Sequence, residues 1–180
     1  PERGFSFRYP EAHLDLRMDP TRGIPASEKI EHLSAEELYE IFATYGEEKF
    51  ARPIAHAFVR ARRIRAITTV GEVIGIVESV VKGRSDRIAT LARVFQAIRI
   101  AVNDELIALK EGLDGGARVL TAGGRMVVLS YHSLEDRIVK QAMMRPPLKP
   151  VIKKFIVASR EEVMQNSRAR SAKLRVAEKL

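Results

Sequence analysis

Apolar residues recur at helical spacing through the first two-thirds of the chain, and the period shortens only near its end. Leu38, Ile41, Phe42 and Tyr45 share one helical face. Ser34 and Glu37 stand ahead of them at the spacing of a capping box, and Gly46 follows as a stop. Phe50, Ile54, Phe58 and Ala61 make a second face. Pro53 interrupts it, so that helix bends or restarts there. Thr69 and Glu72 repeat the capping box before Val73, Ile74, Val77 and Val80. The longest periodic stretch predicts a helix from near Arg87 to Gly112, with Leu91, Phe95, Ile98, Val102, Leu106 and Leu109 turned inward. Gln96, Arg99 and Asn103 line the edge of that face, where hydrogen bonding between helices is the preferred reading.

After Gly115-Gly116 the pattern changes. "RMVVLSY" (125–131) is short, apolar and β-rich, and reads as a buried strand. A helix from Ser133 to about Met144 follows, stopped by Pro146-Pro147. "VIKKFIVA" (151–158) and "AKLRVAEK" (172–179) read as two further strands, joined by a short helix near Arg160–Gln165. Residues 1–25, punctuated by Pro and Gly, read as irregular. The chain is thus expected to be mostly α-helical with about three strands. So few strands rarely bury both faces of a sheet, so the pattern reads as the back end of an α/β domain. Pro1 in place of methionine suits a cut or processed terminus.

Charge sharpens the picture. The net charge is +8. Residues 145–180 hold ten Lys/Arg against three acids, a surplus of seven that leaves about +1 for everything before them. Arg60, Arg62, Arg63 and Arg65 form a second, local cluster. Such asymmetry favours a polyanionic partner, although a solubilising basic surface explains it equally. No apolar run nears the ~18 residues of a membrane span. The absence of cysteine rules out disulfides and thiolate metal sites and suits a cytoplasmic setting. No histidine pair has zinc spacing and no glycine-rich phosphate loop occurs, so no metal site is expected.

The densest chemistry is "YHSLEDR" (131–137), at the end of the first strand, where ligands of open α/β sheets gather. His132 could orient a substrate or move a proton there, and Glu135 or Asp136 could accept hydrogen bonds from an amine. A plainer reading stands beside this one. Ser133 and Asp136 have capping-box spacing, and acids in a first helical turn suit the helix dipole. On that reading His132 has no capping role.

Six blocks in order carry a resemblance: "ERGFSFR" (2–8), "LDLRMDPTRG" (14–23), "YGEEKFA" (45–51), "FQAIRIAVNDEL" (95–106), "GGRMVVLSYHSLEDRIVK" (123–140) and "SRARSAKLRVAEK" (167–179). The chain resembles the bacterial small-subunit ribosomal RNA methyltransferase H family, from end to end. Pro53 stands where that family usually has a basic residue and Ser167 where it usually has proline. "RIATLARVFQ" replaces its usual lead into the phenylalanine-glutamine block. The resemblance implies a class I (Rossmann-like) S-adenosylmethionine-dependent methyltransferase sheet with a helical substrate-recognition insert. Residues 1–23 would be a linker, 24–112 the insert, and 113–180 the C-terminal part of the α/β domain.

The implied reaction is N4-methylation of a cytidine in the decoding region of 16S rRNA, on the small ribosomal subunit and in the cytoplasm. The family's cofactor loop lies upstream of its match to Glu2, so no S-adenosylmethionine contact is expected within this chain, which alone is expected to be inactive. By itself it would act as a non-catalytic RNA- or ribosome-binding module, with a homodimer as a candidate assembly. DNA amino-methylation is disfavoured because "RPPL" (145–148) lacks the flanking residues of the paired-proline motif. His132, Ser133, Glu135 and Asp136 become candidates for the cytidine pocket. Arg17 and Asp19 are expected to position RNA or the loop over the pocket. Arg62, Arg63, Arg168, Arg170, Lys173 and Arg175 are expected to meet phosphates rather than bases.

Overall fold

The structure is a computed structural model and describes residues 2–81, 83 and 86–180. It divides into two compact units, residues 1–105 and 106–180, each with its own apolar core. The first unit holds helices α1 (Ala26–His32), α2 (Ala35–Glu40), α3 (Ala51–Arg62), α4 (Val70–Val81) and α5 (Arg87–Asn103). Ser34 caps α2 reciprocally with Glu37: the Glu37 amide donates to the serine hydroxyl at 3.2 Å and the Ser34 amide to the carboxylate at 2.7 Å. The helix runs on as a π turn over Ile41–Tyr45 and closes at Gly46. A Cβ at Gly46 would lie 2.6 Å from the Phe42 carbonyl oxygen, so a side chain has no room there. Pro53 falls in the first turn of α3, where no amide has an intrahelical acceptor, so the helix starts there rather than bends. Thr69 and Glu72 cap α4 as the spacing predicts.

Phe42 and Phe58, both fully buried with ring centroids 5.2 Å apart, lie in the core of this unit beside Ile54, Val73, Val77 and Val94. Residues 2–25 are irregular as expected, yet they are part of that core: Leu14 and Leu16 are each 1% exposed. Their backbone is held by pairing with the entry to α4, through Leu14 N–H to the Thr68 carbonyl and Val70 N–H to the Ala12 carbonyl. This pairing has neither helical nor strand period, so no sequence pattern reveals it.

The single helix expected from Arg87 to Gly112 is two helices. α5 ends at Asn103, Asp104 takes a left-handed conformation (φ 49°), and α6 runs Glu105–Val119, through Gly115-Gly116. Asp is among the few residues that accept that backbone region, and the apolar period continues across the break, which hides it. At Gly116, inside α6, a Cβ would meet the terminal methyl of Met126 at 2.8 Å.

The polar stripe on α5 does what its position at the boundary of burial suggests. Gln96 donates to the Tyr45 carbonyl, and Asn103 both donates to the Leu16 carbonyl at 2.8 Å and accepts from the Met18 amide at 2.7 Å. Arg99 pairs with Glu105 at 2.7 Å. Asn103→Ala is expected to cost about 2 kcal/mol, since it orphans two backbone groups of the leader. Chemical denaturation of the variant checks this.

The second unit contains β1 (Arg125–Ser130), α7 (Ser133–Met143), β2 (Leu148–Pro150), β3 (Ile156–Val157), α8 (Arg160–Gln165) and β4 (Lys173–Lys179). The strands number four rather than about three. "VIKKFIVA" is not one strand: residues 151–154 bend, and the two short pieces β2 and β3 pair with β4 on either side of the bend. β4 pairs with β1 on its other side, from Arg125↔Glu178 to Ser130↔Lys173, and every pair is antiparallel. Met126 and Val128 of β1 and Ala177 of β4 pack with Val139 and Met143 of α7 and Leu113 of α6. The opposite face is apolar and open, with Val127, Leu129 and Ile156 about half exposed.

Candidate functional site

β1 ends at buried Ser130, and the next two residues turn the chain into α7. The N-cap of α7 is His132, not Ser133, and its capping partner is Glu135, not Asp136. The Glu135 amide donates to His132 Nδ1 at 3.4 Å, and the Glu135 carboxylate accepts from the amides of Tyr131 (2.8 Å) and His132 (3.3 Å). His132 Nε2 stands 3.4 Å from the other carboxylate oxygen. A ring that accepts at Nδ1 carries its neutral-form proton on Nε2, so the cap fixes both tautomer and orientation. The expectation that His132 takes no part in capping is therefore corrected. Serine outranks histidine as a cap and Asp three residues on mimics a box, so spacing alone selects the wrong register. Ser133 is the first helical residue and is exposed.

The register shift frees Asp136 for another task. It is 9% exposed and receives a two-pronged bond from Arg175, Nε to Oδ1 at 2.7 Å and Nη2 to Oδ2 at 3.1 Å, with Lys173 Nζ 3.3 Å away. The Arg175 guanidinium beside it holds its carboxyl below the usual range, against the opposing effect of burial and with help from Lys173. Arg175 and Lys173 also lie over the Phe155 ring, 5.2 and 4.8 Å from its centre. Two residues expected at phosphates thus join α7 to β4, and Phe155, which the sequence reading passed over, completes the stack. Its one signal was an aromatic directly after Lys153-Lys154.

The other candidates sit within their own units. Arg17 pairs with Asp15 at 2.7 Å and reaches the Gly23 carbonyl, while Asp19 accepts from the amide and hydroxyl of Thr21. Both therefore shape the loop between Leu16 and α1. Arg62 donates to the Ile30 carbonyl. Arg63 is exposed. Arg168 and Arg170 are exposed on a 3₁₀ turn over Ser167–Ser171, either side of buried Ala169, and among the described residues neither side chain has an ion pair. No helix among the described residues is long and apolar enough to cross a membrane.

Fold and site together define a mostly helical protein with a small antiparallel sheet, arginine-rich exposed turns and a rigidly capped strand end. The whole chain, residues 1–180, matches the MraW methylase family and belongs to it. It is 48% identical to the ribosomal RNA small subunit methyltransferase H of Acaryochloris marina, over 100% of this chain and 60% of that protein. The proteins of the same name from Phocaeicola vulgatus and Nostoc punctiforme are 44% and 48% identical, each over 99% of this chain and over 63% and 60% of their own length. The chain thus spans about 60% of the length of these relatives.

Proposed function

We propose that this chain is the helical and C-terminal portion of an S-adenosylmethionine-dependent enzyme that methylates N4 of a cytidine in the decoding region of 16S rRNA. The observation that carries the reading is the unbroken match of all 180 residues to the methylase family, with relatives named for small-subunit rRNA methylation. The antiparallel sheet suits the edge of a larger α/β sheet, where antiparallel strands commonly sit. Its open apolar face and the unpaired edge of β1 among the described residues suit the same placement.

S-adenosylmethionine supplies an electrophilic methyl group when bound. The strand end after β1 does not fit that cofactor, because no glycine-rich turn follows it and the Tyr131 and His132 amides are already taken by Glu135. The residues here act on the nucleobase instead. Cytosine N4 is a weak nucleophile whose lone pair is delocalised into the ring, so it needs in-line placement and an acceptor for its protons. His132, held by its cap, forms one wall of the cytidine pocket together with the start of α7. Glu135, with 24% of its side chain exposed against 12% for Asp136, is the acceptor for the N4 protons. Asp136, Arg175 and Lys173 keep that wall fixed to β4. Arg63, Arg168 and Arg170 meet phosphates.

The test is transfer of a labelled methyl group to small ribosomal subunits by a protein carrying this chain together with the further length its relatives have. Label on cytidine N4 is expected, and label elsewhere on the RNA overturns the reaction. His132→Ala, which lets that wall shift, should lower turnover about 10²-fold. Unchanged turnover with unchanged RNA affinity overturns the pocket assignment.

A further inference from the structure

A groove of about 580 Å³ lies between the end of α3 and the outer face of α4, lined by Ala57, Ala61, Ile64, Ile67, Gly75 and Ile76. Arg60 and Arg65 stand on its rim, and Arg63 is exposed next to them in sequence. Glu72 is the one acid in the lining, and Arg65 covers it at 3.4 Å. Ile64 is 89% exposed, the most exposed large apolar side chain among the described residues. Ile64 lies between Arg63 and Arg65, so apolar surface and cations stand side by side at this helix end. Gly75 adds a second oddity: it lies inside α4, where glycine weakens a helix, yet a Cβ there would meet nothing within 4 Å. Nothing among the described residues fills that space.

We propose that this groove takes an unstacked base of an RNA strand, with its apolar floor against the base, Arg60 and Arg63 on the neighbouring phosphates and Arg65 neutralising Glu72. Guanidinium groups grip phosphate oxygens in pairs and stack on bases, and sequence-specific RNA sites are mostly splayed bases of loops and ends. An acidic peptide would also satisfy the charge. The groove is open to solvent, however, and its floor is made of the small residues Ala57, Ala61 and Gly75 rather than an enclosed slot for a helical anchor. Gly75 keeps the floor open to a flat ring. The proposal rests on the rRNA reading above and adds where the first unit touches its RNA.

The experiment measures binding of the 180-residue chain to a labelled single-stranded RNA, to the duplex of the same sequence, and to a polyglutamate peptide. Gly75→Leu, which fills the groove without altering charge, should weaken the single strand roughly tenfold while the melting temperature stays level or rises. Gly75→Ala should weaken the single strand by less than Gly75→Leu does and melt about 2 °C higher. Arg63→Glu should flatten the salt dependence of binding. If Gly75→Leu binds the single strand as the parent does while Arg168→Glu does not, the groove assignment fails and the rRNA reading stands. If the parent chain binds no RNA, the groove assignment fails, and the rRNA reading is decided by the methyl-transfer test above. Tighter binding of polyglutamate, lost in Gly75→Leu, would make this a protein-docking groove and overturn the proposal.

Discussion

Asp136→Ala is expected to lower the stability of the second unit by about 3 kcal/mol, the size of the loss when one partner of a desolvated ion pair is removed. The Arg175 and Asp136 side chains are 11% and 12% exposed, so neither is well hydrated. Without the carboxylate, a guanidinium and an ammonium are left near each other over Phe155 without that counter-charge. The double replacement Asp136→Leu with Arg175→Met should recover most of the loss, because it removes the desolvation cost along with the pair. The pH dependence has a definite sign. The folded carboxyl titrates below its unfolded value, chiefly because of the hydrogen bond from Arg175. Its contribution is therefore complete above about pH 4 and is lost as the pH falls through the lower, folded value. Denaturant midpoints of parent and variant should converge in acid; a gap that persists there would contradict this account.

Glu48→Ala should cost the first unit a similar amount, about 3 kcal/mol. The Glu48 side chain is fully buried, and its carboxylate accepts from Arg93 Nε at 2.6 Å and from the Phe50 amide at 2.9 Å. Its own amide donates to the Phe42 carbonyl in the first half of the π turn. One residue thus ties the exit of α2, the start of α3 and the side of α5 together. Glu48→Gln keeps the neutral acceptor for Phe50 and loses the charge, so about half the effect is expected. In urea the midpoint should fall at unchanged slope. A loss below about 1 kcal/mol would mean that water replaces the carboxylate.

Much of this was legible in the residues. Capping boxes at Ser34 and Thr69 mark two helix starts because that device depends on spacing and residue type alone. The boundary stripe of Gln96, Arg99 and Asn103 was legible for the same reason. Three features were not. The break at Asp104 is a backbone conformation that leaves the apolar period untouched. Glu48 reads as one more surface acid in "YGEEKFA" until the fold brings Arg93 beside it. The site's register is one residue out because two overlapping boxes, Ser133–Asp136 and His132–Glu135, compete. Only the partners of the two acids decide: backbone amides for Glu135, and cations from β4, thirty-nine residues on from Asp136 in the case of Arg175, for the other.

The pairing of Asp136 also changes what salt does to any complex with a polyanion. Counterions are released only from phosphates that meet a cation still free to neutralise them. Lys173 and Arg175 already share a carboxylate, and Lys179 donates to the carbonyls of Arg118 and Leu120. Such residues inflate the formal charge of the C-terminal segment without adding to the ion release. The share of the C-terminal segment in the steepness of affinity against salt therefore follows the exposed arginines of the 3₁₀ turn rather than the total that composition suggests.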